Sequence, residues 1–136
     1  MNALKSHKDL IVWQKAMELA VLIYDLTKGM PKTEQYGLTS QMLRAAVSIP
    51  ANIAEGNSRS SRKDYARFVS IARGSAAELE THLDLVVRVK LLDRDAVARA
   101  LALNDEVGRM LNALRSKLSQ DDTGFSEEDQ DYLSSP

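Results

Sequence analysis

Four cations crowd into one short stretch, Arg59, Arg62, Lys63 and Arg67, with Ser58, Ser60 and Ser61 among them. Side chains of this kind suit phosphate, because each guanidinium offers a planar fork of donors and each phosphate neutralised releases condensed counterions. Serine hydroxyls and backbone amides add donors beside them. Arg44, one strip away on the preceding helical segment, completes a candidate nucleic-acid-binding set of Arg44, Arg59, Arg62, Lys63 and Arg67. Arg73 lies further along the next helix. A plainer origin for the same pattern is a solvated connection whose cations pair with Glu55 and Asp64. Aromatic side chains that could stack on bases are not interleaved with these cations, since Tyr65 is expected in the core.

Catalytic chemistry has less to draw on. The histidines are His7 and His82, and Glu78 stands at i, i+4 from His82 on one helical face. Di-iron bundles use Glu-x-x-His, at i, i+3, and position 81 is a threonine. Glu78 and His82 are therefore read as a surface or interfacial pair and no metal site is expected. The absence of cysteine excludes disulfides, thiolate zinc sites and cysteine nucleophiles. The six glycines are scattered, none forms a phosphate loop, and no G-x-S-x-G nucleophile motif occurs. The expectation is a protein that is not an enzyme and holds no cofactor.

These residues must be positioned by helices. A chain of 136 residues is the size of one domain, rich in Leu, Ala, Arg, Glu and Lys, and no strand-like alternation of any length occurs. Helix one follows the capping pattern Ser6-His7-Lys8-Asp9 and reaches about Lys28, before Gly29, Met30 and Pro31. It bears one apolar stripe of Leu10, Trp13, Met17, Ala20, Val21 and Tyr24, and a second of Val12, Ala16, Leu19, Ile23 and Leu26, an arc too wide for one neighbour. Helix two runs from Thr33 or Glu34 to about Asn57, where Gly56 and the serines that follow stop it. Its core stripe is Leu38, Met42, Ala45, Ala46, Ile49 and Ile53, flanked by a second apolar group of Leu43, Val47, Pro50 and Ala54. Ser61-Arg62-Lys63-Asp64 reads as a capping box opening helix three, which runs to about Lys90, and helix four spans Asp93 to about Leu118. The small residues Gly74, Ser75, Ala76 and Ala77 allow a neighbouring helix to approach closely.

Pro50 sits inside helix two, where it removes the amide that would bond to the Ala46 carbonyl, at a cost of about 3 kcal/mol. The residues on either side keep one helical phase, which predicts a kink rather than a break. Ser48, Asn52 or water is the expected donor to the freed carbonyl.

All 18 Lys and Arg precede residue 121, whereas six of the 19 acids follow residue 120, so residues 1–120 carry a net charge of +5. Residues 1–120 are expected to form the bundle, and 121–136, DDTGFSEEDQDYLSSP, an acidic, disordered tail. A basic body hints at a polyanionic partner, although a solvated helical surface explains the surplus equally well. The N-terminal residues lack the apolar stretch of a signal peptide, and no apolar run approaches the roughly 20 residues of a membrane span, which fits a cytoplasmic protein without a membrane partner.

The stretches LIVWQKAMELA, GLTSQMLRAAVSIPANIAEGNSR and IARGSAAELETHLDL resemble the 23S rRNA intervening-sequence family, also called four-helix bundle proteins, over about residues 5–118. The resemblance implies an antiparallel up-and-down four-helix bundle that assembles into a homopentamer. A related group, the accessory variability proteins of diversity-generating retroelements, implies nucleic-acid and reverse-transcriptase partners for a basic ring. One departure stands out: Leu43 occupies a position that is usually a second arginine in the family, which removes a cation and enlarges the second apolar group on helix two. That group and the doubled stripe on helix one agree with the implied oligomer, because a lone bundle would leave both exposed. The candidate interface between copies is accordingly Val12, Leu19 and Ile23 with Leu43, Val47, Pro50 and Ala54. Two functions stay open: a non-catalytic, ring-forming protein that contacts RNA or another nucleic acid, and a protein-interaction scaffold such as an accessory subunit to a nucleic-acid enzyme.

Overall fold

The computed structural model describes residues 6–120, so the acidic segment 121–136, expected as a tail, lies outside the described residues. Four α-helices account for most of what is described: α1 (Ile11–Thr27), α2 (Leu38–Asn57), α3 (Arg62–Arg88) and α4 (Arg94–Leu118). Two of their starts follow the expected chemistry. Ser61 accepts the Asp64 amide at 3.1 Å, and Asp93 accepts the Ala96 amide at 2.8 Å, each satisfying a donor that the first turn leaves unpaired.

The other two starts differ from expectation. Ser6 does cap a turn, but it is the single 3₁₀ turn His7–Asp9, and extended Leu10 separates it from α1. α2 begins at Leu38 because a second 3₁₀ turn, Lys32–Glu34, leads into non-helical Gly37; the Glu34 carboxylate then accepts the Leu38 amide at 3.3 Å. α3 closes before Lys90, which adopts φ 65° while its amide and that of Leu91 bond to the carbonyls of Val87 and Val86. This is the left-handed helix stop usually given to glycine.

Contacts between helices fix their directions. Arg62 at the start of α3 donates to the Lys117 carbonyl at the end of α4, and Asn104 Nδ2 donates to the Ala76 carbonyl at 2.9 Å, so these two helices are antiparallel. Ser48 with Ser75 and Asn57 with Tyr65 give the same relation for α2 and α3, and Lys15 with Glu106 and Glu18 with Arg99 for α1 and α4. α1 is thereby antiparallel to α2 as well, and the four close into an up-and-down bundle. Its centre holds Leu19, Ile23, Ile49, Leu79, Leu83 and Leu111 with no exposed surface. Burying each of these side chains contributes about 1.5–3 kcal/mol.

α2 passes through Pro50 without interruption. The Asn52 amide does not serve the Ala46 carbonyl: Nδ2 donates to the Ser48 carbonyl at 2.8 Å and to Ser48 Oγ at 2.9 Å, and that hydroxyl meets Ser75 Oγ at 2.8 Å. The turn carrying the proline is thus tied to α3 by a part-buried polar chain. Gly56 does not end the helix either. It is buried within α2, where α3 passes so close that a Cβ would lie 2.9 Å from Phe68 Cβ and 2.9 Å from Tyr65 Cδ1. The helix stops two residues later, where Ser58 Oγ donates to the Glu55 carbonyl at 2.7 Å.

The interface expected between copies needs correction. Val12, Leu19 and Ile23 are wholly buried in the core and offer no surface, and Pro50 is buried as well. The two stripes of α1 are reversed in role, because the set containing Val12 turns inward, leaving Met17, Val21 and Tyr24 41%, 59% and 53% exposed. Lys15 and Glu18 reach α4, so the flank bearing Trp13, Met17 and Tyr24 turns toward the α2 side. On α2, Ser48 reaches α3, which turns Leu43, Val47 and Ala54 toward the α1 side. Leu43 and Ala54 are half-buried and Val47 is exposed. An apolar outer face shared by α1 and α2 results.

Candidate nucleic-acid interface

The corner between α2 and α3 gathers the candidate cations around one ring. Arg59 follows the end of α2, and its guanidinium lies 4.8 Å from the centroid of Phe68; that of Arg67, one residue before Phe68, lies 4.4 Å from it. Cation–π contact of this kind is worth about 0.5–1 kcal/mol at exposed sites, and it holds two flexible side chains over one platform. Arg59 also pairs with Glu55 at 2.7 Å and Arg67 with Asp64 at 3.2 Å. Both pairs are largely exposed, where an ion pair contributes about 0–1 kcal/mol, so a phosphate can replace either carboxylate at little cost. Lys63 is exposed on the outer side of the same turn.

Phe68 is half-buried, with the arginines over its ring. An aromatic side chain is therefore interleaved with the cations after all. Its spacing of nine from Arg59 and one from Arg67 could have revealed this, had the chain reversal after Asn57 been placed in three dimensions.

Arg62 and Arg44 are not part of this platform. Arg62 turns into the seam between α3 and α4, with Nε and Nη1 enclosed and Nη2 donating to the Lys117 carbonyl. A cation at the negative end of a helix stabilises that end. Its role is thus to close α4, and it is removed from the candidate interface. Arg44 lies 15 residues before Arg59, roughly 22 Å along the helix axis. There it lines a polar recess of about 390 Å³ with Gln41, Ser48, Glu78 and His82.

α4 supplies cations that the sequence alone did not place here. Because α4 runs antiparallel to α3, its last turns return to the same end of the bundle, bringing Arg115 and Lys117. Arg115 Nε donates to Ser70 Oγ at 2.7 Å, one turn beyond Arg67. The end of the bundle thus presents Arg59, Lys63, Arg67 and Arg115, with Glu55 paired to Arg59 and Asp64 to Arg67. Beneath them Tyr65 is buried, and desolvation pushes its phenol above the usual range, opposed in part by the hydrogen bond from Asn57 Nδ2 at 3.3 Å.

Among the described residues, no three His, Cys, Asp or Glu side chains are grouped to hold a metal ion, and no helix is long and apolar enough to cross a membrane. A second surface feature is an apolar groove of about 540 Å³ at the opposite end, where Leu38 of α2 meets Leu85, Val89 and Leu91 at the end of α3.

The family model described as 23S rRNA-intervening sequence protein matches residues 8–113. Among solved structures, the chain is similar to a protein of unknown function from the S23 ribosomal protein family of Bacteroides thetaiotaomicron VPI-5482, with 29% identity and a TM-score of 0.73 over 77% of this chain and 98% of that one. No curated protein matches the chain.

Proposed function

The chain belongs to the 23S rRNA-intervening sequence protein family, and from that premise we propose that it is a non-catalytic, self-associating bundle that binds RNA through the end bearing Arg59, Lys63 and Arg67. The observation that carries this reading is the pair of guanidiniums over Phe68. They offer forked donors to phosphate beside a ring, at a surface where their present partners are weak competitors. Self-association is supported by the outer face of α1 and α2, where Met17, Val21, Tyr24 and Val47 are exposed. The groove at Leu38, Leu85 and Val89 gives each copy a second, different apolar surface. Two unlike surfaces on one subunit suit a head-to-tail joint, the kind that closes into rings such as the pentamer the family resemblance implies. Repeating the basic end around a ring multiplies a weak contact into an avid one.

The test is titration of a labelled RNA hairpin, read by fluorescence anisotropy, at rising salt. Binding is expected to weaken steeply, and replacing Arg59, Lys63 and Arg67 by alanine should cost about tenfold or more and flatten the salt slope by about 2 for a single-stranded contact. Arg44→Ala, far along α2, should change either value much less. No binding at low salt would reject the RNA reading and favour the scaffold, in which the same ring presents its surface to another polypeptide.

A further inference from the structure

We infer that the groove between α3 and α4 takes a nucleotide whose base carries an exocyclic amino group, with buried Asn104 accepting a hydrogen bond from that group. This rests on the reading of the neighbouring basic end as an RNA site and names what the strand offers beside it. The groove has a volume of about 450 Å³, and Asn104, 5% exposed, lies at its floor. Asn104 Nδ2 is committed, donating to the Ala76 carbonyl at 2.9 Å, whereas Oδ1 is enclosed with no hydrogen-bond partner. A buried oxygen left unpaired costs free energy, which a donor on a ligand restores. The tie to Ala76 also sets which way round the amide lies: turned over, it would set one oxygen against another, so towards the groove it accepts and does not donate.

Room and charge select the ligand. Gly74 of α3 and Gly108 of α4 both line the groove, and a Cβ on either would meet nothing within 4 Å, so a flat ring can lie against backbone and reach Oδ1 by displacing few side chains. Arg73 lines the groove half-buried, and none of the described carboxylates pairs with it. Arg109 is held by Asp105 at 3.0 Å, in an exposed pair that a phosphate can replace. Ser70, at the end of the groove towards the basic corner, accepts from Arg115 Nε at 2.7 Å. A phosphate on Arg73 therefore stands between the corner cations and the base, while Glu80, two turns further along α3, repels phosphate from the far end. Asn104 lies roughly 16 Å from Arg115 along α4, so a short single strand can engage both. Adenine and cytosine each bring an amino donor to Oδ1, whereas uracil sets a carbonyl on either side of its one N–H and so turns acceptors towards an acceptor.

The experiment uses the full chain. Labelled oligoadenylate, oligocytidylate and oligouridylate of equal length are titrated at low salt and read by fluorescence anisotropy. Adenylate and cytidylate should bind about fivefold more tightly than uridylate. Gly108→Met fills the groove without meeting the bundle and should abolish that preference, while the uridylate affinity, carried by Arg59, Lys63 and Arg67, stays within about twofold. Equal affinity for the three oligomers, or a preference that survives Gly108→Met, would overturn the groove site and leave the basic end standing. Free AMP, with UMP as control, separates a mononucleotide from a strand. It is read by the Asn104 side-chain amide signals in proton–nitrogen NMR, identified by their loss in Asn104→Leu. A shift with AMP when no oligomer binds keeps the groove as a nucleotide site and rejects the RNA reading. The oligomer preference without an AMP shift makes the strand the source, and the absence of both oligomer binding and shift overturns groove and RNA reading together.

Discussion

Gly56→Val should lower the melting temperature by roughly 10 °C, the largest drop expected from any single glycine in the bundle. A Cβ at position 56 would stand 2.9 Å from Phe68 Cβ, 2.9 Å from Tyr65 Cδ1 and 3.2 Å from the Tyr65 carbonyl oxygen. None of these is the loose end of a flexible side chain, so relief requires moving α3 away from α2, and overpacking of this kind costs about 1–3 kcal/mol. Valine adds two γ-carbons to the collision and recovers little helix propensity, whereas alanine recovers about 1 kcal/mol. Gly56→Ala should therefore fall between the two. The opposite sign is expected at Gly74, where a Cβ meets nothing within 4 Å: Gly74→Ala should stabilise by about 0.5–1 kcal/mol through helix propensity alone. Thermal unfolding followed by circular dichroism measures all three. A consequence for the site follows, because separating α3 from α2 also separates Phe68 from Arg59, so Gly56→Val should weaken RNA binding below its melting temperature.

Met17→Glu combined with Val21→Glu should take the assembly apart while leaving the bundle folded. The two side chains are 41% and 59% exposed in a single copy, so exchanging them for good helix formers should change the stability of the monomer by no more than about 1 kcal/mol. In the proposed assembly the same positions would lie within the apolar face of α1 and α2, where an unpaired carboxylate would have to be buried. That cost, several kcal/mol per charge, predicts self-association weakened by at least about 100-fold. Circular dichroism should stay unchanged, and RNA affinity should fall with the loss of avidity even though no residue at the basic end is altered. Parallel changes at Val12 or Ile23 would instead unfold the chain, since both are fully buried in the core.

The contrast between these positions shows what could be read in the chain itself. Helical periodicity identified four helices and both apolar stripes of α1, but periodicity is blind to which stripe the neighbouring helices cover. Val12 and Val21 are alike in sequence, and only the placement of α4 against Lys15 and Glu18 decides that one is core and the other surface. Local chemistry was legible where it stayed local: Ser61 caps α3 as its spacing with Asp64 suggested. It failed where a partner lay far along the chain. Arg62 counted as one of four equivalent cations until the end of α4 placed the Lys117 carbonyl against it. Gly56 likewise resembled a helix stop, because a close crossing leaves no sign in its immediate neighbours.

Self-association is the claim on which the avid, repeated basic surface rests, and the molar mass of the natural chain by light scattering at micromolar concentration tests it most directly. A mass of two or more whole multiples of 15.1 kDa, stable to dilution across that range, is predicted. A value of 15.1 kDa throughout would contradict it, leaving the exposed residues of α1 and α2 as ordinary surface and the basic end as a single, weak contact.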